Sequence, residues 1–319
     1  MNASTAGEDT IFAFVQLELP GALGPPDGRY LIRERPDAPP RHVLVLRTVG
    51  AVVERHGLGW RRPGQAPPAP DPVPAPTTRA TLIAPQPLGS EAAAVQWLDA
   101  ARHDADARVS EALRVLNRAL HAHAIAARDP RAAEVSREAA LAVRLGWGAG
   151  EQVADGRWSQ ALELGPSRGR RRRPDPLRAQ ERLAALLGGR ERALAAETLA
   201  LRARLDLDAG RAREAALQLR AALDVGIAEL EVGESSSSLG ARLHELRAQR
   251  AGVDRAAAEA VAGPVSFDCA ELVSHALRRL EAALQVRAID ALRSPPARDP
   301  GRRRRQDGPA PGTAPPPEH

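Results

Sequence analysis

The sequence predicts an α+β fold that is predominantly α. A small antiparallel sheet with one helix comes first, followed by a helical segment and an antiparallel helical bundle. Three observations carry this expectation. Residues Thr10–Leu19 alternate with a period of two, as one half-buried strand does. From Val109 onward, apolar residues instead recur at steps of three and four. Proline- and arginine-rich stretches at 61–78, 165–176 and 294–319 punctuate the chain. These breaks bound an expected α+β domain at 1–103, a helical segment at 104–164, a linker at 165–176, a bundle at 177–293 and a disordered tail.

In the first strand Ile11, Ala13, Val15, Leu17 and Leu19 share one face, and Phe12, Phe14, Gln16 and Glu18 share the other. Pro20 ends it. A long loop, Gly21–Gly28, leads to a second strand at Arg29–Arg33. His42–Val49 carries Val43 and Val45 on one face and Leu44 and Leu46 on the other, which predicts a central strand covered on both sides. Trp60–Thr78 is too poor in apolar residues to build a core, and a fourth strand is expected at Arg79–Ala84. Ser90 is placed to cap a helix that holds Val95, Trp97 and Leu98.

Val109, Leu113, Leu116 and Leu120 then mark a helix that Asp129-Pro130 ends. A further helix is expected from Arg131 to about Leu145, then a glycine-rich turn and a short segment from Trp158 to Leu164. Past the linker come a helix at Leu177–Leu187 and a helical hairpin at Arg190–Glu231. A loop at Ser235–Ser238 and helices at Leu239–Val261 and Asp268–Leu292 follow. In the hairpin, Leu194, Leu201 and Leu205 are expected on one side of the first helix. Ala216, Leu219, Leu223, Ile227 and Leu230 line one face of the second.

Composition excludes several chemistries. All 45 basic residues are arginine, so no lysine exists for a P-loop, a Schiff base or pyridoxal phosphate. The net charge is only +5, and the pI of 10.7 is high because almost nothing titrates between neutrality and arginine. One cysteine, Cys269, forbids an internal disulfide framework, and the acidic, polar amino end is unlike a signal peptide. No apolar run reaches membrane-spanning length. A cytoplasmic protein without a membrane role is the expectation.

Few residues suggest a site. Gly146, Gly148 and Gly150, in the run Gly146-Trp147-Gly148-Ala149-Gly150-Glu151, would let backbone amides approach a phosphate if Leu141–Leu145 were a strand entering a helix. An interhelical turn is the competing reading. Arg168, Arg170, Arg171, Arg172 and Arg173, with Arg302–Arg305, could contact anions such as nucleic-acid phosphates, but no aromatics interleave them. His121 and His123 fall on different helical faces, and His244-Glu245 lacks a second histidine at Ala248. Cys269 reads as a small core residue, and Trp147 with Trp158 as a stacking platform or as core caps. No cofactor, metal site or catalytic constellation is expected.

At Gly210, Ala215, Leu219 and Ala222, with Leu199 and Ala203 before them, the segment resembles a tetratricopeptide repeat. Asp206 and Ile227 depart from that pattern, and no second copy follows. Pro20–Tyr30, Gly146–Trp158 and Leu177–Asp224 are similar to helical proteins of high-GC bacteria for which no activity is known, which implies no function. The expected role is a non-catalytic scaffold whose helical half binds another protein or a second copy of itself. A nucleic-acid-associated protein using its arginine linkers is an alternative. A nucleotide binder or enzyme centred on Gly146–Glu151 is another.

Overall fold

A computed structural model describes residues 10–50, 75–165, 176–232 and 237–293. The fold is α+β and mainly α, and the chain divides into two compact units, Met1–Arg170 and Arg171–His319.

The first unit is a six-stranded antiparallel sheet. Its strands are β1 Ile11–Pro20, β2 Gly28–Ile32, β3 His42–Val49, β4 Thr77–Ile83, β5 Ala142–Ala149 and β6 Gln160–Leu164, in the order β2-β3-β4-β1-β5-β6. β1 lies inside the sheet, where Leu17 stands opposite Ala80 of β4 and Val143 of β5. β3 is also interior, and Val43 through Leu46 are all buried, two toward each face.

One face packs Leu17, Leu44, Leu82 and Leu145 against helices α1 (Glu91–His103) and α2 (Ala105–Ala127). Each such leucine contributes about 1.5–3 kcal/mol by leaving water. Ser90 Oγ accepts the Ala93 amide at 3.2 Å and caps α1. α2 ends at Arg128, whose φ of 54° is left-handed, one residue ahead of the Asp129-Pro130 stop. The other face packs Phe14, Val43, Val45 and Ile83 against Val153 and Ala154. Those two belong to a 3₁₀ turn, Gly150–Asp155, that folds back from β5.

Four expectations need correction here. Arg131–Leu145 is not a helix: only Arg137–Ala139 forms a 3₁₀ turn, and Ala142 onward is β5. Its alternation of Val143, Leu145 and Trp147 was masked by Arg144 and two glycines on the opposite side. Consequently residues 142–164 complete the sheet and do not form a separate helical segment with α2. Two helices cover the sheet, where one was expected. β4 begins at Thr77, inside the stretch expected to be unfolded; residues 61–74 lie outside the described part.

The second unit holds α3 Pro176–Leu187, α4 Ala195–Asp208, α5 Ala212–Val232, α6 Ser237–Ala262 and α7 Phe267–Arg293. α4 to α7 form a bundle in which each helix packs on the next and α7 returns to α4. Ser237 and Ser238, expected in a loop, open α6. The core combines alanines of α4 with Leu219, Leu223, Leu243, Leu246, Leu277 and Leu280. Residues 294–319, expected to be disordered, lie outside the described part. Among the described residues no helix is long and apolar enough to cross a membrane.

Candidate functional site

The surface of the α4–α5 hairpin follows from what its interior accepts. α4 buries Ala196, Ala200 and Ala203, spaced four and three apart, and these small residues let the α5 backbone come close. Gly226 of α5 extends that contact: a Cβ there would stand 2.9 Å from Leu280 Cδ1 and 3.4 Å from Ala196 Cβ. Leu199 and Leu207 pack partly against this core, whereas Leu201 and Leu205 point outward. They are 71% and 48% exposed, and Leu217 of α5 is 40% exposed. The expected stripe of Leu194, Leu201 and Leu205 therefore does not face the partner helix. Leu194 is half-buried, and the alanine ridge does the packing.

Charged groups pin both ends of this hairpin. Leu194 offers no capping side chain, and the Glu229 carboxylate accepts the Ala195 and Ala196 amides at 3.0 and 3.1 Å in its place. At the other end Asp206, 7% exposed, accepts from Arg211 Nε at 2.6 Å and from Gln218 Nε2. This clamp, with Gly210 at φ 77°, gives the reason an acid stands where the tetratricopeptide pattern has an apolar residue. Arg204 of α4 adds a two-pronged bond to Glu281 of α7 at 2.9 and 2.8 Å, which raises the Arg204 pKa.

The α5–α6 seam is different. Arg220–Asp254, Arg250–Asp224 and Arg247–Glu231 pairs at 3.0, 2.8 and 2.7 Å line it, as a solvated face requires. Leu201 and Leu205 lie one turn apart on α4, whereas the exposed Val232 and Val261 are at the ends of α5 and α6.

The glycine run is occupied by packing. A Cβ on Gly146 would lie 2.5 Å from the Gln160 carbonyl oxygen and 2.7 Å from the Phe14 ring. One on Gly148 would lie 2.8 Å from Val153 Cγ1 and 3.0 Å from Trp158 Cα. The Gly150 amide donates to Thr10 O at 2.9 Å. These glycines let residues 150–159 lie flat on the sheet, where buried Gln16 donates to Thr81 Oγ1 and Val153 O at 2.9 and 3.1 Å. The turn that follows is six residues of 3₁₀ helix, and its Glu151 and Asp155 pair with Arg29 and Arg47. Acids and spent amides are a poor cradle for phosphate.

Trp147 and Trp158 sit on opposite faces of the sheet, so they form no shared platform. Trp147 belongs to the α1–α2 core. Trp158 lies 5.8 Å from the Phe14 ring, with the Arg144 guanidinium 5.6 Å from its own ring. His123 packs on Gly24 of the Gly21–Gly28 loop. Cys269 is buried in the bundle core. Among the described residues no group of three or more His, Cys, Asp or Glu side chains could hold a metal ion. Arg168, Arg170, Arg171, Arg172, Arg173 and Arg302–Arg305 lie outside the described residues.

Comparison with protein-family models, with curated proteins and with solved structures finds no match to this chain.

Proposed function

We propose that this chain is a non-catalytic interaction protein and that the outward leucines of its α4–α5 hairpin take a second copy of the chain. The observation that carries this reading is the inversion in α4, which buries alanine and exposes Leu201 and Leu205. Leaving two large apolar side chains in water forgoes about 1.5–3 kcal/mol each, a gain that self-association recovers. Charge does not oppose it. Residues 177–293 hold 17 arginines and 17 acids, so two such units carry no net repulsion.

Sedimentation velocity of the full chain tests the reading. The wild type is expected to dimerise at micromolar concentration, and Leu201→Glu with Leu205→Glu to remain monomeric at an unchanged helix content. A wild type that stays monomeric at high concentration would end it.

A further inference from the structure

A cavity of about 170 Å³ lies between the sheet and helices α1 and α2. Its buried lining is apolar, with Ala13 and Leu82 from the sheet and Ala112 from α2. Its partly exposed lining includes His42 at the start of β3, Trp97 of α1, and Arg108 and Glu111 of α2. An engineered apolar cavity of about 150 Å³ holds one benzene, whereas drug-sized ligands need roughly 300 Å³ or more. The space therefore suits a single ring or a short aliphatic chain.

The polar groups at this cavity are held in place. The Arg108 guanidinium carbon lies 5.0 Å from the centre of the Trp97 ring. Arg108 Nε donates to Asp104 Oδ1 at 2.6 Å. Stacking and that bond together fix the guanidinium plane, and both Nη groups are without a partner among the described residues. Glu111, the one acid of the lining, is paired with Arg114 on its own helix. Burial pushes the His42 pKa below its ordinary value, with Glu111 and Glu34 opposing and Arg41 assisting. At neutral pH His42 is thus an uncharged ring with one N–H to donate.

We infer that this cavity binds a small monocarboxylate with an aromatic or short aliphatic body. The apolar body lies against Ala13, Leu82, Ala112 and the Trp97 ring, and the carboxylate meets the Arg108 Nη donors beside His42. An arginine oriented by stacking and by a second acid binds a carboxylate without first losing rotamer freedom. Glu111 disfavours a second carboxylate on the same ligand. This inference stands on the sheet unit alone and does not depend on the helical hairpin.

Benzoate is the probe, titrated into the full chain while the tryptophan indole N–H signals are followed by ¹H–¹⁵N NMR. Trp97→Phe assigns the reporting signal. The Trp97 signal is expected to shift saturably with a Kd of about 1 mM, and benzyl alcohol, of the same shape without charge, to bind about tenfold more weakly. Arg108→Gln should show the same tenfold loss while the Trp147 and Trp158 signals stay in place. Ala112→Leu, which fills the cavity and leaves the charges intact, should abolish the shift. The inference is overturned if Trp97 shows no saturable shift up to about 20 mM benzoate. Equal binding of benzoate and benzyl alcohol, or of benzoate to wild type and Arg108→Gln, overturns it too.

Discussion

The sheet unit and the helical unit both bring backbones unusually close, but they do it with different residues and at different risk. In the sheet unit, Gly146 and Gly148 admit a returning segment, and the atoms waiting for a side chain at Gly146 include the Gln160 carbonyl oxygen. In the helical unit, Ala196, Ala200, Ala203 and Gly226 admit a neighbouring helix, and the nearest atom to a side chain at Gly226 is the Leu280 Cδ1 methyl. Backbone cannot yield without breaking the β5–β6 ladder, whereas a leucine end can turn. The polar groups differ as well. The sheet unit half-buries a row of charges, where Glu18 joins Arg79 and Arg144 at 3.1 and 3.0 Å. The helical unit puts Asp206 inside, at the turn that fixes its register. Close approach therefore rests on shape plus buried polar bonds in both units, from the neutral Gln16 amide in one and the charged Asp206 clamp in the other.

The clamp gives the largest expected effect. Asp206→Ala leaves Arg211, whose side chain is 14% exposed, and Gln218 without the carboxylate that joins them. The expected loss is about 3 kcal/mol from the helical unit, since the buried Asp206–Arg211 ion pair and the Gln218–Asp206 hydrogen bond are removed together. All four tryptophans precede residue 171, so tryptophan fluorescence follows the sheet unit while ellipticity at 222 nm is dominated by helix. The helical transition should fall by roughly 10 °C and the fluorescence transition should stay where it was. Equal movement of both would show that the two units unfold as one.

A matched pair of glycine substitutions sharpens the contrast. Gly146→Ala places a Cβ 2.5 Å from a backbone oxygen, and overpacking against atoms that cannot move costs about 3 kcal/mol. Gly226→Ala places one 2.9 Å from Leu280 Cδ1, and alanine gains about 1 kcal/mol of helix propensity over glycine. The first should lower the fluorescence transition sharply, and the second should leave the helical transition within about 1 kcal/mol of wild type. Similar costs for the two would remove the distinction between backbone-limited and side-chain-limited approach.

That distinction also explains what could be read from the sequence. β1 and α7 were legible because their periods, two and 3.6, run without interruption over ten residues or more. β5 was not. Ala139, Ala140 and Ala142 favour helix, and its strand identity comes from pairing with β1 over 120 residues away. The spacing of Leu194, Leu201 and Leu205 places them on one side of α4 but does not show which side is buried, and in the fold Leu201 and Leu205 are exposed while Ala196, Ala200 and Ala203 are buried. The cavity at His42 was illegible because Ala13, Leu82 and Ala112 meet only in the folded sheet unit. Trp97 and Arg108 did lie eleven residues apart across one helix junction, but nothing local indicates a stacked pair.

The smallest expected effect separates the two units by pH. Burial, aided by Arg41 and opposed by Glu111 and Glu34, holds the His42 pKa below its ordinary 6.5. As pH falls from 6.5 toward that depressed value, the unfolded chain takes up a proton that folded His42 does not. Stability present above 6.5 is therefore lost on acidification. In the helical unit the Glu259 carboxylate accepts from the Cys269 thiol and from the Ser266 amide, which hold its pKa below the ordinary 4.5. That contribution is complete above 4.5 and disappears only at lower pH. The fluorescence transition should thus begin to fall near pH 6, while the helical transition holds until below pH 4.5. His42→Gln should flatten the first slope and leave the second unchanged. An unaltered fluorescence slope in that variant would mean that burial at the cavity does not control proton uptake by the sheet unit.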